Sequence, residues 1–340
     1  MEENGSGVLK QKYDGIDGIR AFACIGIVMM HVLSNGKYQV DGFVFDTLIP
    51  SFTNFVFLFM TVSGFGMCCG YYEKFINKEV DISQFYIKRY KKILPFFAFL
   101  CVIDIVMSPS IEAVYEVFAN LTLCFGLIPN ANITVIGVGW FLGVVFAFYL
   151  LFPFFVFLIS TKKRAWISLI LAFLMNYVCD AYFGVGRSSI AYCFVYFVLG
   201  GIVYLYRKGI HDIPAVKWIS LIGLLLSVIF YFVFGGITPA MMAINAFALI
   251  YAMQVEKISV LNNPATKALG NISFEVYLCH MVIYRVAEKA HLLHLTGNNV
   301  SDYIISFVLI FAGACIFAFV FKKIIDELMR RASFVYCCDR

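Results

Sequence analysis

Charge is scarce in this sequence: Asp, Glu, Lys and Arg together make up 14% of 340 residues, against 62% hydrophobic residues and a mean hydropathy of +0.87. A water-soluble domain of this length could not hide so much apolar surface, so the solvent must largely be lipid. Other things are missing too. No C-x-x-C pair occurs among the eleven cysteines, so neither a structural disulfide framework nor a zinc site is expected, and no metal is assigned. There are no heptads, no low-complexity linker and no internal repeat. The start, Met1-Glu2-Glu3-Asn4, is acidic where a signal peptide is basic. No small-residue cleavage site follows the first apolar run, so that run is expected to be retained.

What is present is a series of apolar runs, most of them near the roughly 20 residues that a helix needs to cross a hydrocarbon core of about 30 Å. They are read as spans over 15–34, 47–70, 93–108, 138–160, 166–183, 190–206, 216–235, 238–254, 271–290 and 302–321. The stretch 112–130 carries Glu112 and Glu116 before a brief apolar run and is read as a re-entrant or interfacial helix on the outer side. The fold class is therefore an all-α integral membrane protein, a bundle of about ten transmembrane helices. With the N-terminus inside, all of the 26 Lys and Arg residues except Lys37, Arg187, Arg285 and Lys289 fall on the inner side, as the positive-inside rule requires. Counting 112–130 as a span would place Lys162, Lys163 and Arg164 outside. Both termini are thus expected to be cytoplasmic, with an inner segment 1–14, a membrane domain 15–321 and an inner tail 322–340. The same loop bias accounts for the net charge of +5 and gives no case for nucleic acid binding. The lipid bilayer is the partner that composition implies. The N-x-S/T matches at Asn120, Asn132, Asn271 and Asn299 are assigned no glycan, and no motif encodes an oligomeric state.

Ionisable groups inside spans are costly and tend to face a polar cavity or a partner. Arg20 and His31 lie eleven positions apart on the first span, which puts both on one helix face about 16 Å apart along the axis. They could line a passage. Alternatively Arg20 snorkels to the interface and His31 bonds a neighbouring helix. The inner loop Phe85 to Pro95 holds Lys88, Arg89, Lys91 and Lys92, which suit phosphates of a nucleotide-type ligand or anionic lipid headgroups. In the ninth span, Glu275 and His280 are offset by about 140° and need not share a cavity. Asp104 and Asp180 read as buried structural polar groups, and Gly64 as a site of close helix approach.

Several patches together resemble one family. Tyr13-Asp14-Gly15-Ile16-Asp17-Gly18-Ile19-Arg20-Ala21 followed by His31 is similar to the opening D-G-L/I-R-A/G helix of acyltransferase family 3, with its R-x10-H spacing. Phe57 to Phe65 resembles the family's F-F-x-x-S-G-F helix, and Arg89-x-x-Lys92-x-x-Pro95 its R-x-x-R-x-x-P segment. Trp140-Phe141-Leu142 through Phe148-Tyr149-Leu150-Leu151-Phe152-Pro153 resembles a W-F-L span, and Gly270-x-Ile272-Ser273-Phe274-x-x-Tyr277-Leu278-x-His280 a G-x-I-S-Y-x-x-Y-L-x-H span. Lys92 departs from the family's arginine, keeping the charge but not the planar fork. Val145 stands where members with a fused hydrolase domain have Glu, which fits a stand-alone form. The resemblance implies transfer of an acyl group, acetyl by family habit, from cytoplasmic acyl-CoA to a hydroxyl of an envelope polysaccharide or another acceptor in a bacterial inner membrane. It further implies that Arg20, Arg89 and Lys92 hold the donor's phosphates and that His31 acts as general base or acyl acceptor, with His280 in support. Ser273 and Tyr277 are read as packing or bonding residues. A transporter or flippase for a lipid-linked glycan or small solute is the alternative, although no inverted repeat speaks for it.

Overall fold

The structure, a computed structural model, describes residues 13–127, 135–255 and 258–338. Residues 1–12 with Lys10 and Lys12, the end of the 112–130 stretch, Asn132, Lys257 and Arg340 lie outside the described residues, as do the side chains of 329–338, among them Arg330, Arg331, Cys337 and Cys338. Lipid offers the backbone no hydrogen bonds, and the chain answers with helices that satisfy their own. These are α1 (Gly15–Asn35), α2 (Ile49–Ser51), α3 (Phe55–Ile76), α4 (Ile82–Met107), α5 (Ile111–Leu121), α6 (Trp140–Leu158), α7 (Lys162–Ala181), α8 (Ile190–His211), α9 (Val216–Val233), α10 (Thr238–Met253), α11 (Pro264–Lys289) and α12 (Asn299–Cys338). Among the described residues there is no β-strand.

Seven helical runs are long and apolar enough to cross a membrane: α1, Val44–Ile76 with α2 and α3, Gly137–Leu158 with α6, α7, α8, α9, and Asn299–Leu328 of α12. Three of the spans read from the sequence fall short of that measure for identifiable reasons. Lys91, Lys92 and Asp104 interrupt α4, α10 has only 16 residues, and Asn271, Glu275, His280 and Arg285 interrupt α11. The 11 residues of α5 cover about 16 Å, half a hydrocarbon core, in keeping with a helix that does not span. The last span runs on without a break, so that 322–338 continue α12.

α3, α6, α8 and α11 carry the bundle's interior, while α7, α9 and α12 turn Ile170, Leu171, Leu225, Leu226, Ile316 and Phe319 outward, as lipid-facing helices do. Asp180 corrects the sequence reading. It is exposed in the last turn of α7 rather than buried. Asp104 is buried as read and pairs with Arg285 of α11.

Two close crossings set the geometry of the site. At α3 and α8 the backbones touch: a Cβ on Gly64 would lie 2.4 Å from the Phe197 carbonyl oxygen, and one on Gly200 would lie 2.1 Å from that of Thr61. Between α1 and α11, a Cβ on Gly270 would meet the Asp17 carbonyl oxygen at 2.3 Å. Higher up, the Cys24 thiol lies 3.5 Å from the Ser273 carbonyl, and higher still His31 meets His280. Residue numbers rise together along the two helices, so α1 and α11 run in the same direction. Lys267 and Asp14, 3.0 Å apart, tie their starting ends.

Candidate functional site

α1 presents His31 near its C-terminal end, half-buried, with its ring centroid 5.1 Å from that of His280 and tilted by 46°. His280 is fully buried. Its Nδ1 lies 2.6 Å from the Tyr277 carbonyl oxygen. A carbonyl only accepts, so Nδ1 carries the proton and Nε2 keeps a lone pair. That Nε2 is buried and has no hydrogen-bond partner among the described residues. The segment is held firmly. Tyr277 donates to the Val138 carbonyl at 3.1 Å, and its ring stands edge-on to Phe141 at 5.0 Å. Ser273 bonds the Gly270 carbonyl at 2.8 Å, so Ser273 and Tyr277 have the bonding roles read from the sequence.

The other end of α1 is cationic. Residues 85–95, expected as a loop, are helical within α4, because Asp81 caps the helix by accepting from the Gln84 amide at 3.1 Å and the following residues are good helix formers. Arg89 and Lys92 are then three apart on one helix face. Pro95 interrupts the hydrogen-bond ladder at that level, freeing the Lys91 carbonyl. Arg89 donates to the Tyr71 hydroxyl at 2.8 Å. Its guanidinium lies 5.0 Å from the Tyr71 ring centroid and 5.7 Å from that of Tyr149. Its Nε is buried without a partner among the described residues. The charges of Arg20, Arg89, Glu275 and Lys322 all reach the Lys92 ammonium. Lys322 stands 3.3 Å from Glu275 and donates to the Asn271 carbonyl, while Arg20 stays 3.7 Å from Asp17.

The five residues singled out in the sequence thus fall into two groups: Arg20, Arg89 and Lys92 at one end of α1, and His31 with His280 at the other. About 16 Å of helix separates Arg20 from His31. A ligand with an anionic head and a long arm could touch both.

Sequence reasoning missed two members. Lys322 sits beyond the last apolar run and looked like an ordinary inner charge. Arg187, on the loop before α8, donates to the Thr53 hydroxyl at 2.5 Å, lies 5.3 Å from the Trp140 ring centroid and acts electrostatically on His31 and Tyr277. One signal was available for it: Arg187 is one of four basic residues that break the positive-inside pattern.

A family model described as an acyltransferase domain matches residues 13–322, covering every residue of both groups. No protein of curated function and no solved structure matches the chain.

Proposed function

The chain belongs to that family of membrane acyltransferases, and on that premise we propose that it moves an acyl group, acetyl by preference, from cytoplasmic acyl-CoA to a hydroxyl of an envelope or exported polysaccharide. The observation that carries this reading is the division along α1, with Arg20, Arg89 and Lys92 gathered at one end and the His31–His280 pair at the other. Coenzyme A has the matching shape, a phosphate-rich head and an extended pantetheine arm that ends in the thioester. The cations would hold the head by charge-assisted hydrogen bonds, and the arm would run along α1. The cation-rich end is the cytoplasmic one by the positive-inside rule, in a bacterial inner membrane.

At the far end His280 holds its proton on Nδ1 against Tyr277, which leaves Nε2 available to accept from the His31 imidazole, whose ring centroid lies 5.1 Å away, and so to orient it when acceptor and donor are bound. Oriented in this way, His31 takes the acceptor hydroxyl's proton as that oxygen attacks the thioester carbonyl, or attacks the carbonyl itself and passes the acyl group on. In the first case the C–S bond breaks and the coenzyme A thiolate takes up the proton from His31. In the second the thiolate leaves as the acyl–nitrogen bond forms, the acceptor oxygen then displaces the imidazole from the acyl group, and the hydroxyl's proton ends on the thiol.

The experiment is reconstitution in vesicles with labelled acetyl-CoA and a polysaccharide acceptor. Label should move to the glycan, and His31→Ala should abolish the transfer while the protein still inserts and binds coenzyme A. Solute flux with no acyl transfer would instead assign the bundle to transport.

A further inference from the structure

Arg187 has no carboxylate partner among the described residues, although other charges in the bundle do: Asp104 pairs with Arg285, Asp14 with Lys267 and Glu275 with Lys322. Asp180, on the same face of the molecule, acts on Tyr192 as Arg187 does, yet no ion pair joins the two. The partners that fix Arg187 are neutral, the Thr53 hydroxyl through Nη1 and the face of Trp140. They hold the guanidinium in place while its remaining N–H donors meet no partner among the described residues, and the side chain is exposed. Thr53 is itself anchored to α1, since its neighbours Phe52 and Phe55 pack on Gly26, five residues before His31. The cation is therefore positioned relative to the imidazole pair by packing on both sides. It opens onto the end of the bundle opposite the Arg89 cluster.

Resting on the acyl-transfer reading of this site, we propose that Arg187, seated on Trp140, binds an anionic group of the acceptor, a carboxylate or phosphate carried by a sugar, and so orients a neighbouring hydroxyl toward His31. The physical case rests on the guanidinium fork, which matches the two oxygens of a carboxylate or phosphate. The partly exposed Trp140 indole on which it sits leaves apolar surface beside the guanidinium against which a sugar ring packs. A neutral sugar would use the indole alone. An acidic one would use both, so this pair selects by charge.

The test uses Trp140 as its own reporter. With Trp166→Phe and Trp218→Phe, Trp140 is the remaining one of the three tryptophans, and its emission is followed while glucuronate or glucose is added to the purified protein. Glucuronate should change the emission at concentrations at which glucose does not. Arg187→Gln should weaken the glucuronate response about tenfold or more, the loss of one charge-assisted contact, and leave coenzyme A binding unchanged. Arg187→Lys, with charge but no fork, should fall between. Equal responses to the two sugars, no response to glucuronate, or a response that survives Arg187→Gln would each overturn the proposal. Calorimetric titration of the parent protein repeats the comparison without the tryptophan replacements. Failure of the parent to bind coenzyme A would count against the donor reading alone, since that site lies at the other end of α1.

Discussion

Arg89 combines two interactions that lysine cannot reproduce together: a directed hydrogen bond to Tyr71 and a planar face between the rings of Tyr71 and Tyr149. Its buried Nε has no partner among the described residues, so a donor remains for a ligand phosphate. Arg89→Ala should weaken coenzyme A binding more than it harms membrane insertion, and Arg89→Lys should weaken it about tenfold. Equal affinity in a properly inserted Arg89→Ala protein would remove Arg89 from the donor site. His280 allows a sharper substitution. In His280→Asn the amide can still donate to the Tyr277 carbonyl, yet nothing replaces Nε2. Transfer should drop about a hundredfold or more, within the range for a lost acid–base contribution, while the melting temperature moves little; a large fall in melting temperature with transfer retained would make His280 purely structural. Arg20 and His31 were legible because one helix fixes their spacing. The supporting role of His280 came from the family resemblance; from helical period alone it was legible only as a polar group inside a span, because the 140° offset from Glu275 says that the two face different neighbours without saying which. The structure resolves it by turning Glu275 to Lys322 and His280 to His31. Arg187 was hardest to read, as a loop residue is carried to its site by tertiary packing and not by helical period.

At the level of elements, the α3–α8 crossing depends on two side chains being absent. With Thr61 and Phe197 carbonyls where the missing Cβ atoms would be, Gly64 and Gly200 allow backbone contact that larger residues forbid. Gly200→Val should cost about 1–3 kcal/mol or more by overpacking, seen as a lower melting temperature in detergent. Gly209 lies on the same helix with open space around it. Gly209→Ala should therefore be neutral or stabilising by up to about 1 kcal/mol. Matching losses at both positions would mean that general helix propensity, not the crossing, governs α8. Gly64 was recognisable as a point of close approach from its small-residue context, but its partner was not, since nothing local ties residue 64 to residue 197. α4 was misread over 85–95 for a related reason. A dense run of lysines and arginines looks like a loop by hydropathy, whereas the same residues are good helix formers once Asp81 caps the helix.

For the whole molecule, the directions of the helices bear on how many of them cross. α11 runs beside α1 from Asp17 and Gly270 up to His31 and His280, so if α1 crosses, α11 reaches the same depth despite its polar residues. α4 runs the same way, from the cation cluster at Lys92 to the Asp104–Arg285 pair. α10 runs the opposite way, from Thr238 beside Asn176 of α7 toward Ala252 beside Gly15 of α1. Several polar residues that interrupt α4 and α11 find partners within the bundle, Asp104 with Arg285, Glu275 with Lys322 and His280 beside His31, which is why composition undercounts these helices. Seven crossings leave the two ends of the chain on opposite sides of the membrane; adding α4, α10 and α11 brings them to the same side. In a background without native cysteines, Lys37→Cys and Leu295→Cys should react with a membrane-impermeant maleimide in intact cells, while Lys163→Cys and Ala265→Cys should react only after permeabilisation. Residue 265 lies in the first turn of α11 and residue 295 beyond its last, so identical labelling of the two would mean that α11 does not cross. The His31–His280 pair and the Arg89 cluster would then have no bilayer between them, and the transfer of an acyl group from one side to the other would lose its structural basis.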